Sequence, residues 1–265
     1  MVFDVHAHVF PDAIAHKALE VLAAGGRIRP YYDGTVAGLV RAMDRGGVDR
    51  AVVAPVATKP SQVTGINDWV ASLDQPRLVG LGAMHPDFPD PVRELERIAG
   101  LGLAGIKLHS QHQGFTPADP RMTPVYEAAA RLGLIVLFHA GGYITTHDTE
   151  ADPVELAAVV EAYPGLRCIL AHMGGYQVWD EVREHLCGRD VYFDTAYVPR
   201  NLPDDEFLAL ARDHGIERVL FGTDGPWADA GAEIDYIRQM GFTDAELDAI
   251  FEGNAARLFD ACGVS

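Results

Sequence analysis

Short apolar, β-branched runs alternate with longer amphipathic stretches along almost the whole chain. The short runs read as strands ending near His8, Ala54, Met84, His109, His139, His172, Thr195 and Asp224. These ends recur on average about every 31 residues, the length of one βα unit. Eight such units predict an α/β fold, a single parallel (β/α)8 TIM barrel occupying residues 1–265 as one domain. An open doubly wound sheet is the competing arrangement, but no Gly-x-Gly-x-x-Gly turn follows the first strand.

The amphipathic stretches carry helix signals. Asp90-Pro91 opens a segment with apolar residues three apart, and Gly100 closes it. Thr123-Pro124 opens Val125 to Leu132 before Gly133, and Asp152-Pro153 opens Val154 to Tyr163 before Pro164. The first connection, Phe10 to Gly47, is long enough for two helices separated by Gly25-Gly26 and Tyr31-Tyr32-Asp33-Gly34. An insertion there would form a lid at the catalytic end of a barrel. Thr243 to Asp260 reads as one or two extra C-terminal helices packing on the outside.

Composition narrows the partners. The 265 residues are 48% hydrophobic and 22% charged, which suits a buried core. A formal net charge of −17 repels nucleic acid and anionic membrane surfaces, so neither is an expected partner. It permits an anionic small-molecule substrate, because a bound divalent ion reverses the local potential. The first strand begins near Val2, leaving no room for a signal peptide, and no apolar run approaches a membrane span. Cys168, Cys187 and Cys262 are widely spaced and odd in number, as expected of reduced cytoplasmic thiols.

Chemistry collects at the strand ends. His6 and His8 alternate on one strand, so both can face one ion. Lys107, His139, His172 and Asp224 end other strands, where a barrel brings side chains to one point. Imidazole and carboxylate ligands suit Zn²⁺ first, with Mn²⁺ or Fe²⁺ as alternatives, and a metal brings the pKa of bound water near 7.

Asp4-Val5-His6-Ala7-His8, Gly105-Ile106-Lys107-Leu108-His109, Leu137-Phe138-His139, Leu170-Ala171-His172-Met173-Gly174-Gly175, Phe221-Gly222-Thr223-Asp224 and Gly253-Asn254-Ala255-Ala256-Arg257-Leu258-Phe259 follow one another through residues 4–259. This ordered set resembles the amidohydrolase superfamily, in the amidohydrolase 2 branch that contains aminocarboxymuconate-semialdehyde decarboxylase. The resemblance implies that His6, His8, His139 and Asp224 surround a principal metal, with Asp224 also the general base. It gives His172 two roles: polarising or protonating the substrate beside one ion, or ligating a second ion. Lys107 is then a free cation or, when carboxylated, a bridge between two ions. One ion is placed slightly ahead of two.

Other residues carry competing readings. Asp224 could merely cap a Gly-Thr-Asp-Gly turn, and Lys107 could pair with an aspartate or a substrate carboxylate. Asp4 shares the His6/His8 face but sits deeper, which favours support over ligation. His109, Tyr143, Tyr197, Arg200 and Trp227 stand at the expected rim as substrate-binding candidates, with simple rim packing as the alternative. His16, His147, His185 and His214 read as surface residues, and His85 is undecided. The resulting expectation is a metal-dependent hydrolase cleaving an amide, lactone or ester in a small organic molecule. Its alternative is a non-oxidative decarboxylase or lyase at the same site; a homodimer is the default assembly. Specificity is expected from Phe10–Gly47, Gln111–Pro117, Gly141–Asp148 and Tyr197–Asp204.

Overall fold

The computed structural model describes residues 1–26, 28–143 and 146–262; the side chains of residues 26 and 143–150 lie outside that description. The strands are β1 (Phe3–Ala7), β2 (Arg50–Val53), β3 (Leu78–Gly80), β4 (Gly82–Ala83), β5 (Gly105–Leu108), β6 (Ile135–Phe138), β7 (Gly141–Tyr143), β8 (Thr146–Ala151), β9 (Arg167–Leu170), β10 (Tyr192–Asp194) and β11 (Val219–Leu220). One parallel ladder runs β1-β2-β3 and a second runs β4-β5-β6-β9-β10-β11. β3 and β4 are halves of one stave separated by Leu81, whose N–H donates to Val53 O at 2.9 Å.

The remaining seam lies between β11 and β1. Val5 N donates to Phe221 O at 2.9 Å and Asp224 N to His6 O at 2.8 Å. Ala7 and Gly225 form a parallel bridge beyond them. Eight parallel staves therefore complete a ring in sequence order, the TIM barrel that the βα rhythm predicts.

Burial explains the closure. Phe3, Val5, Val52, Ala54, Val79, Leu81, Ile135, Leu137, Ile169, Ala171 and Leu220 form one cluster joined by Ala255, Leu258 and Phe259 of the last helix, Asn254–Asp260. Phe259 lies 5.2 Å from Phe3 between ring centroids. The last helix thus seals the barrel's inner core; it does not merely decorate the outside, as its amphipathic pattern had predicted. Residues on the opposite faces, including Ile106, Leu108, Val136 and Leu170, pack with the surrounding helices in the larger core.

Local chemistry sets the helix ends. Asp90 and Asp152 accept from Arg93 N and Val154 N, each ahead of a proline in the first helical turn. Gly133 ends the Thr123–Leu132 helix at φ 68. The first connection holds α1 (Asp12–Gly26) and α2 (Val36–Gly46), as expected. It is pinned to the rim by Tyr32 Oη, which donates to His8 O at 2.7 Å.

The last stave stops at Leu220 instead of reaching Asp224. Where a βα loop was expected over Gly141–Asp148, Gly141–Tyr143 and Thr146–Ala151 pair as the antiparallel strands β7 and β8. Gly141, at φ +80, carries this change: a Cβ there would stand 2.3 Å from Tyr176 N. Among the described residues no helix is long and apolar enough to cross a membrane.

Candidate metal centre and active site

His6 and His8 lie at the end of β1, and Asp224 follows β11 across the closing seam. Their ligand atoms all fall within 4.8 Å of one another. His8 Nε2 is 3.0 Å and His6 Nε2 3.5 Å from Asp224 Oδ1. The alternation on β1 and the β11–β1 bonds bring these three together.

The hydrogen bonds fix the tautomers. His6 Nδ1 meets Asp194 Oδ2 at 2.9 Å, and a carboxylate oxygen can only accept. His8 Nδ1 meets Ala54 O at 2.6 Å. Both Nδ1 atoms therefore carry hydrogen, and both Nε2 lone pairs turn towards the Asp224 carboxylate. Three electron-pair donors converging at a half-buried point suit a divalent cation. Two imidazoles and a carboxylate fit Zn²⁺, Mn²⁺ or Fe²⁺.

His172 and His139 stand beside this cluster but not within it. His172 Nδ1 donates to Ala196 O at 2.7 Å, and its Nε2 lies 3.0 Å from His139 Nδ1. His139 Nε2 donates to Gly142 O at 3.0 Å. The structure thus brings His6, His8 and Asp224 together as expected and places His139 against His172 instead of inside the same group.

Asp194 was not among the residues singled out from sequence. It is fully buried, and besides His6 it accepts from His172 N at 2.9 Å and Ala196 N at 3.1 Å. Its signal was a carboxylate beside the predicted strand end at Thr195. Asp4 has the supporting role that its depth suggested. It accepts from His6 N, Thr223 N and Thr223 Oγ1 at 3.0, 3.0 and 2.6 Å.

Lys107 is buried with Nζ 3.2 Å from His6 Nε2, so it belongs to the site and makes no ion pair with an aspartate among the described residues. His109 stacks on His139 at 4.0 Å, and His112 lies 4.2 Å from His109. His112 falls on the short Ser110–Gln113 helix, inside a loop expected to matter, but it was not singled out.

A cavity opens onto these groups. Its inner end carries the metal-ligand candidates with Lys107, His109 and His112. Its walls include Phe10, Leu22, Ile28, Val56, Tyr176 and Trp227. Tyr197 and Trp227 line it as expected. Arg200 does not: it lines a neighbouring hollow, pairs with Glu233 at 2.5 Å and lies over the Tyr236 ring at 4.4 Å. A buried carboxylate and an aromatic face hold the guanidinium in the rim-packing position that was the alternative to substrate binding. Tyr143 gives backbone to β7, but its side chain, like residue His147, lies outside the described side chains.

Burial and neighbouring charge shape the titration. Burial raises the Asp224 carboxyl, but His6 and His8 outweigh it and bring it down to about 2. Burial pushes Lys107 down to about 8 against the pull of Asp194 and Asp224. His6 is held well below its ordinary value by burial and Lys107, and His139 by burial and His172. These imidazoles are neutral at pH 7, as metal ligation requires. His172, Tyr197 and Asp224 also adopt positive φ values of 61, 58 and 60, backbone strain concentrated at the rim.

A closed parallel barrel with two histidines and an aspartate at the strand ends defines a metal-ligating barrel enzyme. The chain belongs to the Amidohydrolase family (Amidohydro_2), whose model matches residues 3–261. It is 27% identical over 215 residues to 2-keto-4-carboxy-3-hexenedioate hydratase of Sphingobium sp. strain NBRC 103272 / SYK-6, covering 65% of this chain and 62% of that protein. It is 25% identical over 232 residues to 2-amino-3-carboxymuconate-6-semialdehyde decarboxylase of Dictyostelium discoideum, covering 72% and 64%. The aligned part is thus less than two thirds of either curated relative.

Two solved structures share the fold. An uncharacterized TIM-barrel protein from Bordetella bronchiseptica superposes with TM-score 0.78 at 16% identity, covering 99% of each chain. A dihydroxybenzoic acid decarboxylase from Polaromonas sp. JS666, holding manganese and 2-nitroresorcinol, gives 0.74 at 18% identity, covering 98% and 96%.

Proposed function

We propose that this protein is a metal-dependent lyase that removes CO2 from a small, unsaturated or aromatic carboxylic acid. The expectation of amide, lactone or ester hydrolysis takes second place. The observation that carries the reading is the cavity's polarity. Apolar and aromatic walls lead to an inner end where Lys107, His109 and His112 stand beside His6, His8 and Asp224. A flat acid would seat its ring between Phe10, Tyr176 and Trp227 and its carboxylate at the basic end. Burying that carboxylate removes its hydration, and losing CO2 relieves the cost. The names of the Dictyostelium and Polaromonas proteins support decarboxylation, and the hydratase supports lyase chemistry more broadly.

In this reaction the bond to the carboxylate carbon breaks, CO2 leaves, and the electron pair stays on the substrate carbon. That carbon takes a proton in exchange. Asp224 within the cluster and His172 beside it hold and deliver it. His6, His8 and Asp224 would hold a divalent ion, with manganese now first and zinc or iron next. When bound, that ion would supply positive charge to orient the acid and stabilise negative charge on it.

The test incubates manganese-loaded protein with carboxylated phenols and muconate semialdehydes, measuring CO2 release, beside a panel of lactones and amides. We expect CO2 from at least one acid and, in deuterated water, one deuterium on the carbon that lost it. Asp224→Asn should lower kcat by about 100-fold or more. Turnover confined to lactones or amides would overturn the proposal in favour of hydrolysis.

A further inference from the structure

We infer that Asp194 is a positioning residue that ties the metal-ligand arm of the site to its proton-handling arm through one carboxylate. The inference rests on the metal-centre reading and assigns a role to a residue outside the ligand set. Asp194 ends β10, which pairs with β11 on one side of the β11–β1 seam, and is fully buried. Its two oxygens face different parts of the site. Oδ2 accepts from His6 Nδ1 at 2.9 Å; Oδ1 accepts from His172 N at 2.9 Å and Ala196 N at 3.1 Å.

Each contact has a separate consequence. The Oδ2 contact holds the hydrogen on His6 Nδ1 and leaves the Nε2 lone pair facing Asp224. The Oδ1 contacts hold the backbone of His172 at φ 61, a conformation that a histidine rarely adopts. The main chain of Asp194 reinforces this turn, because Met173 N, itself at φ 54, donates to Asp194 O at 2.7 Å. Ala196, tethered to the same oxygen, presents the carbonyl that orients His172 Nδ1 at 2.7 Å. One side chain thus sets a tautomer on one stave and a ring direction on another. His8 offers a contrast, since its Nδ1 is held by the Ala54 carbonyl and needs no side chain.

Asp194→Asn separates these roles. The amide oxygen can still accept from His172 N and Ala196 N, which turns the amide NH2 towards His6 Nδ1. A donor facing Nδ1 favours the opposite tautomer, with hydrogen on Nε2, where it blocks ligation. The full-length chain, 15N-labelled at histidine, is examined by NMR in chelator-treated and zinc-loaded forms, with His6→Gln assigning the His6 signals. Manganese and zinc affinities are measured by chelator competition.

We expect wild-type His6 to carry hydrogen on Nδ1 and Asp194→Asn to move it to Nε2, while His8 stays unchanged. Metal affinity should fall roughly 10- to 100-fold with the barrel still folded. Unchanged His6 tautomer and unchanged affinity in Asp194→Asn would overturn the inference. So would a wild-type His6 that carries hydrogen on Nε2, a result that stands even if the variant does not fold. A wild-type protein that binds neither metal would sink the metal-centre reading instead, and the chelator-treated spectra would still decide what Asp194 does to His6.

Discussion

The imidazole of His214 stacks on Phe193 at 3.7 Å between centroids and is fully buried, with Nε2 donating to Val191 O at 2.9 Å. Its place on a helix in the sequence suggested a surface residue; the packing of the Asp204–His214 helix against β10 buries it. Burial lowers its pKa from 6.5 to about 4. The unfolded chain therefore binds the proton at a higher pH than the folded one. Stability from the neutral ring is present above pH 6.5 and is lost as pH falls towards 4. Denaturant titrations at pH 7 and pH 5 should show this single group costing the wild type about 2 kcal/mol. His214→Gln should lose correspondingly less between those pH values; an equal loss would assign the acid sensitivity elsewhere. The same blindness to environment hid Asp194 and the pairing of Arg200 with Glu233. A side chain's chemistry is written in its identity, whereas its partner comes from a strand or helix far along the chain.

At the scale of elements, the turn chemistry was legible wherever it is local. Asp-Pro openings and glycine stops act within four residues, so the helices after Asp90, Met122 and Asp152 begin where the sequence indicates. The β7–β8 hairpin was not legible, because its position depends on contact with Tyr176 beyond β9. Gly141 bridges to Tyr176, and Gly142 O accepts from His139 Nε2. Gly141→Ala should undock this hairpin: the added methyl meets the Tyr176 backbone, and the positive φ adds strain of about 1–3 kcal/mol. A thermal melt should show a loss of several degrees, with larger damage to turnover than to helix content. A melt matching that of the wild type would show that the hairpin tolerates the displacement.

At the scale of the whole molecule, the last helix acts as a plug as well as a terminus. Phe259 fills the inner cluster against Phe3, at the end of the ring remote from the metal-ligand candidates. Phe259→Ala should cost about 3–5 kcal/mol in urea unfolding, as a cavity in a packed core does. It should leave manganese affinity near the wild-type value; a large fall in affinity would mean that the plug also shapes the site.

The sequence by itself determined the eight-unit rhythm, and from it the barrel, because side-chain alternation and helix capping are local. It also determined the inventory of His6, His8, His139, His172, Lys107 and Asp224, since chemistry capable of holding a metal is a property of residue type. Tertiary structure decided which of these meet. Closure of β11 onto β1 set Asp224 against His6 and His8, while the partners of His139, His172 and Arg200 were chosen by segments folding over the rim. Those choices are made by packing and hydrogen bonding between residues scores of positions apart, and no local pattern encodes them.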